Sequence, residues 1–224
     1  MDNELNWSGN EINKKNLISL IQNTACFAEP KIEFEQYCID AVSAVDLIYF
    51  AGFEFNDIKH AIVVDLGSGT GRLSIASAFF KAEYVLSVDI DIDALKILYQ
   101  NVKKLNLEHI ILPICADIKR FEILKRCTPS NIKITTIMNP PFGVQKSKAD
   151  REFLQKAFSF SDVVYSIHLR NEKVQEFIKN FVSILEWRID LIVPFNLMLA
   201  KTYEFHSKKT KEINVNFYRF LKKE

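Results

Sequence analysis

The stretch Ile134-Thr135-Thr136-Ile137-Met138-Asn139-Pro140-Pro141-Phe142 joins an apolar, β-branched run to a stiff polar turn. The run at 134–138 predicts a strand, because β-branched side chains suit a pleated, buried surface. Both prolines fix φ and lack an N–H, so the turn is rigid and its carbonyls are free to accept from a ligand. Asn139 adds a carboxamide, and Phe142 adds a flat face for stacking. Together, Asn139, Pro140, Pro141 and Phe142 predict a site that grips a planar group with an exocyclic amino group.

A glycine-rich turn follows an earlier apolar run at 61–66 and reads Asp65-Leu66-Gly67-Ser68-Gly69-Thr70-Gly71. Such a turn after a first strand indicates a nucleotide site, although the signal alone is weak. The dinucleotide fingerprint would need a glycine where Arg72 stands, so this pattern differs from it. Gly67 and Gly69 carry no Cβ, so the backbone there can approach a bound ligand closely.

Two acidic residues follow the next two predicted strands. Asp89 comes after the strand at 84–88, and Asp117 comes after the strand at 110–115. Open α/β sheets bind ligands at the carboxyl ends of their strands, so these side chains should share one site. Asp89 is placed to accept both hydroxyls of a ribose, and Asp117 to accept from an adenine amino group. Taken singly, Asp89 would also suit a helix cap, and Asp117 an ordinary loop.

Strand and helix patterns alternate along the chain, which predicts an α/β fold with a mostly parallel sheet and helices on both faces. The last predicted strands, 187–194 and 213–220, lack a helix-length segment between them, so we expect a hairpin and an antiparallel last strand. The prediction is a sheet of about seven strands in a single domain, 1–224, with an N-terminal helical extension at 1–52. Predicted helices include 12–24, 39–51 and 119–127.

The composition fits a globular protein, with 224 residues, 48% hydrophobic content and a net charge of +1. The polar start is no signal peptide, and no apolar run has membrane-spanning length. The cysteines Cys26, Cys38, Cys115 and Cys127 form no C-x-x-C pair. We therefore expect a cytoplasmic protein with reduced thiols, no membrane contact, no metal site and no disulfide framework.

The order of these motifs resembles the class I S-adenosylmethionine-dependent methyltransferases, and among them the branch that methylates amino groups. The resemblance extends from about Asn13 to Phe220, to the methyltransferase-like-five family of adenine-N6 methyltransferases of small-subunit ribosomal RNA. It rests on Glu35-Gln36-Tyr37, the turn at 65–71, Val88-Asp89-Ile90-Asp91, Met138 to Gly143, Tyr165-Ser166-Ile167-His168, and Tyr203-x-Phe205-His206-x-Lys208-Lys209.

This resemblance implies a class I methyltransferase Rossmann-like fold and S-adenosyl-L-methionine as the cofactor. It implies direct transfer of a methyl group, with neither a protein nucleophile nor a metal. The catalytic residues would be Asn139, Pro140, Pro141 and Phe142. The cofactor-binding residues would be Gln36, Gly67, Gly69, Thr70, Asp89, Asp117 and Asn139.

The implied substrate is RNA, whose target base must be flipped or single-stranded for Phe142 to hold it. Basic side chains near the turn and in the C-terminal segment are candidates for phosphate contacts, which would make binding salt-sensitive. The RNA-binding candidates are Lys146, Lys148, His206, Lys208 and Lys209. Family members also pair with a small zinc-containing activator protein, so a similar partner is expected on the edge strand near Ile110 to Ile114.

The chain departs from the family after Tyr37, where relatives usually continue Pro-Thr and this chain has Cys38-Ile39-Asp40. The hydroxyl missing at Ile39 removes one expected cofactor contact, a loss of about 0.5–1.5 kcal/mol. Two other functions stay open. One is methylation of a protein glutamine amide, although those enzymes more often carry Tyr where Phe142 stands. The other is a non-catalytic, cofactor-binding factor in RNA or ribosome assembly.

Overall fold

A computed structural model describes residues 13–124, 131–143, 149–200 and 210–223. Its described part contains a seven-stranded sheet with the strand order β3-β2-β1-β4-β5-β7-β6. The strands are β1 (Ile62–Leu66), β2 (Tyr84–Asp89), β3 (Ile111–Cys115), β4 (Ile134–Met138), β5 (Val163–Leu169), β6 (Trp187–Ala200) and β7 (Thr210–Lys222). The helices are α1 (Lys14–Gln22), α2 (Ala41–Tyr49), α3 (Arg72–Phe79), α4 (Ile92–Lys104), α5 (Ala149–Phe160) and α6 (Glu172–Ile184).

The sheet is mixed in the way that the sequence predicts. Strands β1 to β5 are parallel, and β7 is antiparallel to both of its neighbours, β5 and β6. Leu66 at the end of β1 pairs with Val88 of β2 and with Met138 of β4. The residues that follow these three positions therefore emerge together at one edge, which we call the cavity edge.

Helices cover both faces of the sheet. Successive residues of a strand point to opposite faces, and in these strands the residues on both faces are apolar, so each face needs a covering layer. Val63 of β1 packs into a core formed with α1, α2, α3 and α4. Val64, its neighbour, packs into a second core formed with α5 and α6. Continuous apolar strands are typical of such doubly covered parallel sheets. No helix of the described residues is long and apolar enough to cross a membrane.

The two N-terminal helices lie close to their predicted ranges and begin at side-chain caps. Asn13 Oδ1 accepts from the Asn16 N–H at 2.9 Å at the start of α1. Asp40 Oδ1 accepts from the Ser43 N–H at 2.9 Å at the start of α2. Such caps satisfy amide groups that have no partner inside the helix. The helix α2 continues into a π-helical turn over Phe50–Glu54.

The helix predicted at 119–127 is wrong for the part that the structure describes, which ends at residue 124. A single turn occupies 118–120, and 121–124 are irregular. The Asp117 carboxylate accepts from the Lys119 N–H at 2.9 Å, and its carbonyl accepts from the Phe121 N–H at 3.1 Å. An aspartate that bonds its own following backbone favours a turn over a helix. Phe121 then packs edge-on against Phe160 in the second core.

The β6–β7 hairpin is present but longer than predicted. Leu169, the last residue of β5, pairs with Val215. Beyond that point the pairs from Leu197↔Ile213 to Ala200↔Thr210 join only β6 and β7. The hairpin therefore continues past the end of β5 on the side of the cavity edge. The N–H of Met198 donates to Asp40 at 3.2 Å, which ties this extension to the start of α2.

Candidate active site

A cavity of about 300 Å³ opens at the cavity edge. Its wall comes from the loops that follow β1, β2, β3 and β4 and from residues 33–39, which lie between α1 and α2. Many of the residues singled out from the sequence are brought together here. The predicted residues in its wall are Gln36, Gly67, Gly69, Thr70, Asp89, Asp117, Asn139 and Pro141.

The glycine-rich turn bends away from the strand through two left-handed residues, Gly67 with φ of 72° and Gly69 with φ of 52°. A side chain is strained at these angles, and a Cβ at Gly69 would also lie 3.1 Å from the ring of Phe27. The N–H of Gly69 donates to Asp89 Oδ2 at 2.8 Å. The turn after β1 and the acid after β2 are thus one connected unit.

Asp89 and Asp91 link this unit to the segment between α1 and α2. Asp89 Oδ1 accepts from the Asp91 N–H at 2.9 Å, and burial raises the pKa of the Asp89 carboxyl. Asp91 in turn accepts from Gln36 Nε2 at 2.7 Å and from Lys31 Nζ at 2.6 Å. Gln36 is therefore held in the wall by Asp91, and its Oε1 accepts from the Lys31 N–H at 2.8 Å.

Two buried polar atoms in the wall have no hydrogen-bond partner in the protein, Asp65 Oδ1 and Ser68 Oγ. The other carboxylate oxygen of Asp65 accepts from the Ser74 hydroxyl at 2.6 Å. Burial raises the pKa of Asp65 to about 7. Because buried polar groups are almost always bonded, these two atoms indicate a polar ligand.

The turn after β4 is held by an aromatic residue that the sequence did not assign to the site. The Tyr37 hydroxyl donates to Asn139 Oδ1 at 2.7 Å. The Tyr37 ring also stacks on Phe142, with centroids 5.9 Å apart and planes 29° from parallel. Burial raises the pKa of the Tyr37 phenol, so it stays a neutral donor. Pro140 itself is buried, and Pro141 contributes to the wall.

Comparison with known proteins agrees with this geometry. The family model described as the TRM5/TYW2 methyltransferase domain matches residues 56–187. The chain is 36% identical to MJ0284 of Methanocaldococcus jannaschii, over 94% of this chain and 95% of that protein. It is 34% identical to METTL5 of Danio rerio, an rRNA N6-adenosine-methyltransferase, over 92% of this chain and 97% of that one. The crystal structure of PH1948 from Pyrococcus horikoshii covers 94% of this chain and 98% of its own, with a TM-score of 0.82 and 33% identity.

The chain belongs to the METTL5 family of methyltransferases. Its cofactor is S-adenosylmethionine, and the wall of the cavity fits that molecule. The cofactor carries an ammonium group and hydroxyls, which are the donors that Asp65 Oδ1 and Asp89 can accept from. Gly67 and Gly69 leave room beside them. Among the described residues, no cluster of three or more His, Cys, Asp or Glu side chains could hold a metal ion.

The other residues singled out from the sequence lie elsewhere. Lys146, Lys148, His206, Lys208 and Lys209 are outside the described residues, so their contact with RNA stays a prediction. Ile39, where the sequence departs from the expected family pattern, is buried and lines the cavity. Its carbonyl accepts from Arg72 Nη1 at 2.7 Å.

His168 is buried at the end of β5 and does not line the cavity. Its Nε2 lies 2.7 Å from the Ser166 hydroxyl, and its Nδ1 lies 3.9 Å from Asp150 Oδ2. Burial lowers the pKa of His168 to about 3, so the ring is neutral. This residue packs edge-on against Tyr218 as part of the core of this METTL5-family fold.

Aromatic wall residues are what the sequence analysis missed. Tyr37 stands next to Gln36 in a segment that carried the family resemblance, so a signal for it was present. Phe27, Phe34 and Phe153 also line the cavity, and they had no such signal. Aromatic residues are frequent in ordinary cores, so their presence in the sequence does not separate core from site.

Proposed function

We propose that this protein transfers a methyl group to the N6 amino group of an adenine in RNA, specifically in small-subunit ribosomal RNA. The observation that carries the proposal is the position of Asn139. Its carboxamide stands in the wall of the cofactor cavity, at the end of β4, and Tyr37 holds its oxygen. An amide acceptor beside a methyl donor suits an exocyclic amino group as the nucleophile.

The residues of the turn act by positioning. S-adenosylmethionine supplies the electrophilic methyl group when it is bound. A carboxamide oxygen has two lone pairs, so Asn139 Oδ1 can accept from the target amino group while it accepts from Tyr37. A second acceptor, the Pro140 carbonyl, would take the other N–H and so orient the nitrogen lone pair. Catalysis of this kind comes from orientation and electrostatics.

The relatives support adenine in ribosomal RNA as the substrate. Similar proteins of Danio rerio, Drosophila melanogaster and Caenorhabditis elegans are each named rRNA N6-adenosine-methyltransferase. Each match covers more than nine tenths of both chains, so it includes the turn after β4 as well as the cofactor loops.

The β6–β7 extension supports a role in holding RNA. It projects at the cavity edge, and its two strands lead into the basic segment that contains His206, Lys208 and Lys209. Together with Lys146 and Lys148 after the turn, these side chains would contact phosphates on either side of the target. We expect binding to weaken steeply with salt, because each phosphate contact releases counterions.

The test is transfer of a labelled methyl group. Purified protein is incubated with methyl-labelled S-adenosylmethionine and small-subunit ribosomal RNA, and the digested nucleosides are identified by mass spectrometry. We expect labelled N6-methyladenosine, reduced about 100-fold or more by Asn139→Ala, the size of effect seen when a positioning group of an active site is removed. Asn180→Ala, on the exposed face of α6, is the matched control.

Other outcomes would point to the alternatives. Label on a protein glutamine, with none in RNA, would replace the proposal with amide methylation. Binding of both cofactor and RNA without transfer, even with the activator partner present, would favour a non-catalytic assembly factor. Full activity of Asn139→Ala would contradict the role given to that residue.

The activator partner is proposed for the free edge of β3. The Val85 N–H donates to the Ile110 carbonyl, and the Ala116 N–H donates to the Asp89 carbonyl. The backbone N–H and C=O groups of the even-numbered residues in β3 therefore point toward β2. Ile111, Pro113 and Cys115 then face outward, and the Ile111 N–H already donates to Leu107. This edge is rich in carbonyls, and a partner strand would have to supply the N–H groups.

Exposed apolar side chains border the same edge, including Leu112 and Tyr84. We expect co-expression with the small zinc-containing activator of the same organism to give a one-to-one complex with raised thermal stability and activity. Leu112→Asp should prevent it, while Ile184→Asp, an exposed apolar position on α6, should not. A lone chain that is monodisperse and fully active would contradict the partner.

A further inference from the structure

Two cysteines meet beside the cofactor cavity. Cys38 lines the cavity, and its Sγ lies 3.1 Å from the Thr70 hydroxyl of the glycine-rich turn. Cys26 is exposed, and its thiol interacts with that of Cys38. A third cysteine, Cys115, is an exposed residue of the edge strand β3, and its Sγ lies 3.8 Å from the Ile90 carbonyl.

The segments that carry the two thiols are fixed on the glycine-rich turn. Asn101 of α4 accepts from the Ala25 N–H at 2.8 Å and donates to the Ala25 carbonyl at 2.9 Å and the Thr70 carbonyl at 3.0 Å. Arg72 donates to Thr24 Oγ1 at 3.3 Å and to the Ile39 carbonyl at 2.7 Å. The segments that carry Cys26 and Cys38 are therefore both held against this turn.

The surroundings of Cys38 favour its thiolate. The hydrogen bond from Cys26, the Thr70 hydroxyl and the positive charge of Arg72 together lower the pKa of Cys38 to about 6, in spite of partial burial. The pKa of Cys26 is raised, chiefly by the same hydrogen bond, so Cys26 keeps its proton. A thiolate beside an exposed thiol is the arrangement found in redox-active cysteine pairs.

We propose that Cys26 and Cys38 are a site of reversible oxidation by hydroperoxides, and that their disulfide lowers the affinity of the protein for S-adenosylmethionine. The thiolate sulfur of Cys38 attacks a peroxide oxygen, the O–O bond breaks, and a sulfenic acid forms with release of hydroxide. The Cys26 sulfur then attacks the sulfenic sulfur, the S–O bond breaks, and hydroxide leaves. The hydroxides take up two protons, so two thiols are oxidised and hydrogen peroxide is reduced to two waters.

The expected consequence for the cavity follows from Thr70. In the reduced protein Thr70 is bonded to Cys38, and it belongs to the turn that binds the cofactor. A disulfide removes the thiolate and draws residue 38 toward residue 26. We expect the affinity for S-adenosylhomocysteine to fall about fivefold, which corresponds to one ordinary hydrogen bond. This inference does not depend on the methyl acceptor.

The test uses Cys115→Ser/Cys127→Ser, a variant that retains Cys26 and Cys38 as its two cysteines. The variant is treated with hydrogen peroxide near neutral pH and mapped by peptide mass spectrometry, and calorimetry measures its binding of S-adenosylhomocysteine. We expect a Cys26–Cys38 cross-link and weaker binding, and dithiothreitol should remove the cross-link and restore the binding. Absence of the cross-link, or a cross-link that leaves binding unchanged, would overturn the proposal.

Single substitutions in that background identify which sulfur reacts first. With Cys26→Ser, peroxide should leave a sulfenic acid on Cys38 that dimedone traps. With Cys38→Ser, Cys26 should react at least about tenfold more slowly, because its thiol is not ionised near neutral pH. In the wild-type protein, faster oxidation of Cys115 than of Cys38 would also count against the proposal.

Discussion

Two buried aspartates stand at opposite ends of β1 and have opposite surroundings. Asp57, before the strand, is 1% exposed and accepts from Lys133 Nζ, the Tyr165 hydroxyl and both Nε and Nη2 of Arg219, all at 2.7–3.0 Å. Asp65, within the strand, is equally buried, but one of its oxygens has no partner. Burial costs each carboxylate its hydration, and the protein compensates both oxygens of Asp57 but only one oxygen of Asp65.

The difference separates a structural polar group from a ligand-binding one. Arg219 also stacks over Phe55, with its guanidinium carbon 4.1 Å from the ring centroid. Both oxygens of Asp57 therefore have hydrogen-bond donors that are themselves held in place by the protein. Asp65 lines the cavity, and its Oδ1, which has no hydrogen-bond partner in the protein, can accept from a ligand. We infer that the Asp57 carboxylate contributes to the stability of the fold, because the protein supplies its hydrogen-bond donors. The Asp65 carboxylate contributes to binding, because a ligand has to supply the missing donor.

The largest expected effect is on the Asp57 side of this comparison. Asp57→Ala removes the buried partner of the Arg219 charge, which keeps its ion pair with the partly exposed Asp190. We therefore expect a loss of about 3 kcal/mol in the free energy of unfolding, the lower end of the range for breaking a buried pair. Urea unfolding measures it. Asp93→Ala, which removes two exposed ion pairs, with Lys31 and Lys96, is the control and should change stability little. A similar loss in the free energy of unfolding for both variants would contradict the structural role given to Asp57.

Asp65→Asn should behave in the opposite way. The amide can still accept from Ser74, but it removes the charge that attracts the cofactor ammonium. We expect the free energy of unfolding to be unchanged or higher, and the affinity for S-adenosylhomocysteine to fall about 10- to 100-fold, the range of a charged hydrogen bond. Calorimetry and urea unfolding are run on the same preparation. Unchanged affinity would mean that Asp65 does not contact the ligand.

The pH dependence sharpens the same contrast. The pKa of Asp65 is raised to about 7 in the folded protein, so the folded state binds more protons than the unfolded state between about pH 4 and pH 7. This carboxyl is therefore expected to make the cofactor-free protein less stable as pH rises through that window. Binding of S-adenosylhomocysteine should strengthen as pH rises through about 7. Both trends should vanish in Asp65→Asn, and their survival there would assign them to another group.

The smallest expected effect concerns Tyr37, whose hydroxyl positions Asn139. Tyr37→Phe keeps the ring against Phe142 and removes the hydrogen bond, so we expect kcat to fall about tenfold, the equivalent of one hydrogen bond to a polar group. The KM for S-adenosylmethionine should stay within about twofold, since Gln36, Gly69 and Asp89 keep their hydrogen bonds. Tyr99→Phe, on the exposed face of α4, is the control. A rise in KM with kcat unchanged would place Tyr37 in cofactor binding instead.

The order of motifs along the chain was enough to predict a mostly parallel sheet and about a third of the residues in the cavity wall. Parallel strands place their following residues at one edge, so Gly67, Asp89 and Asn139 were predictable from position alone. Contacts between distant segments were not predictable, because no local pattern records them. Arg219 meets Asp57 across 162 residues and Tyr37 meets Asn139 across 102.

The failure at 119–127 has a different cause. Hydrophobic spacing there suits a helix, but Asp117 bonds the backbone that follows it and Phe121 is drawn into the core. Local competition of this kind overrides weak helix propensity. The proximity of Cys26 and Cys38 was not predictable either. It arises because both segments pack against the glycine-rich turn, which lies about thirty residues further along the chain.

His168 has one more consequence, for the electric field near the target. Its strand neighbour Ser166 pairs with Met138, the residue that precedes Asn139. Because the His168 imidazole is neutral at any physiological pH, its charge does not change there, and it adds no positive charge near Asn139. An adenine amino group gains positive character as it is methylated, and a histidine that switched on a like charge nearby would oppose that change. His168 therefore adds no pH dependence of its own to methyl transfer in the physiological range.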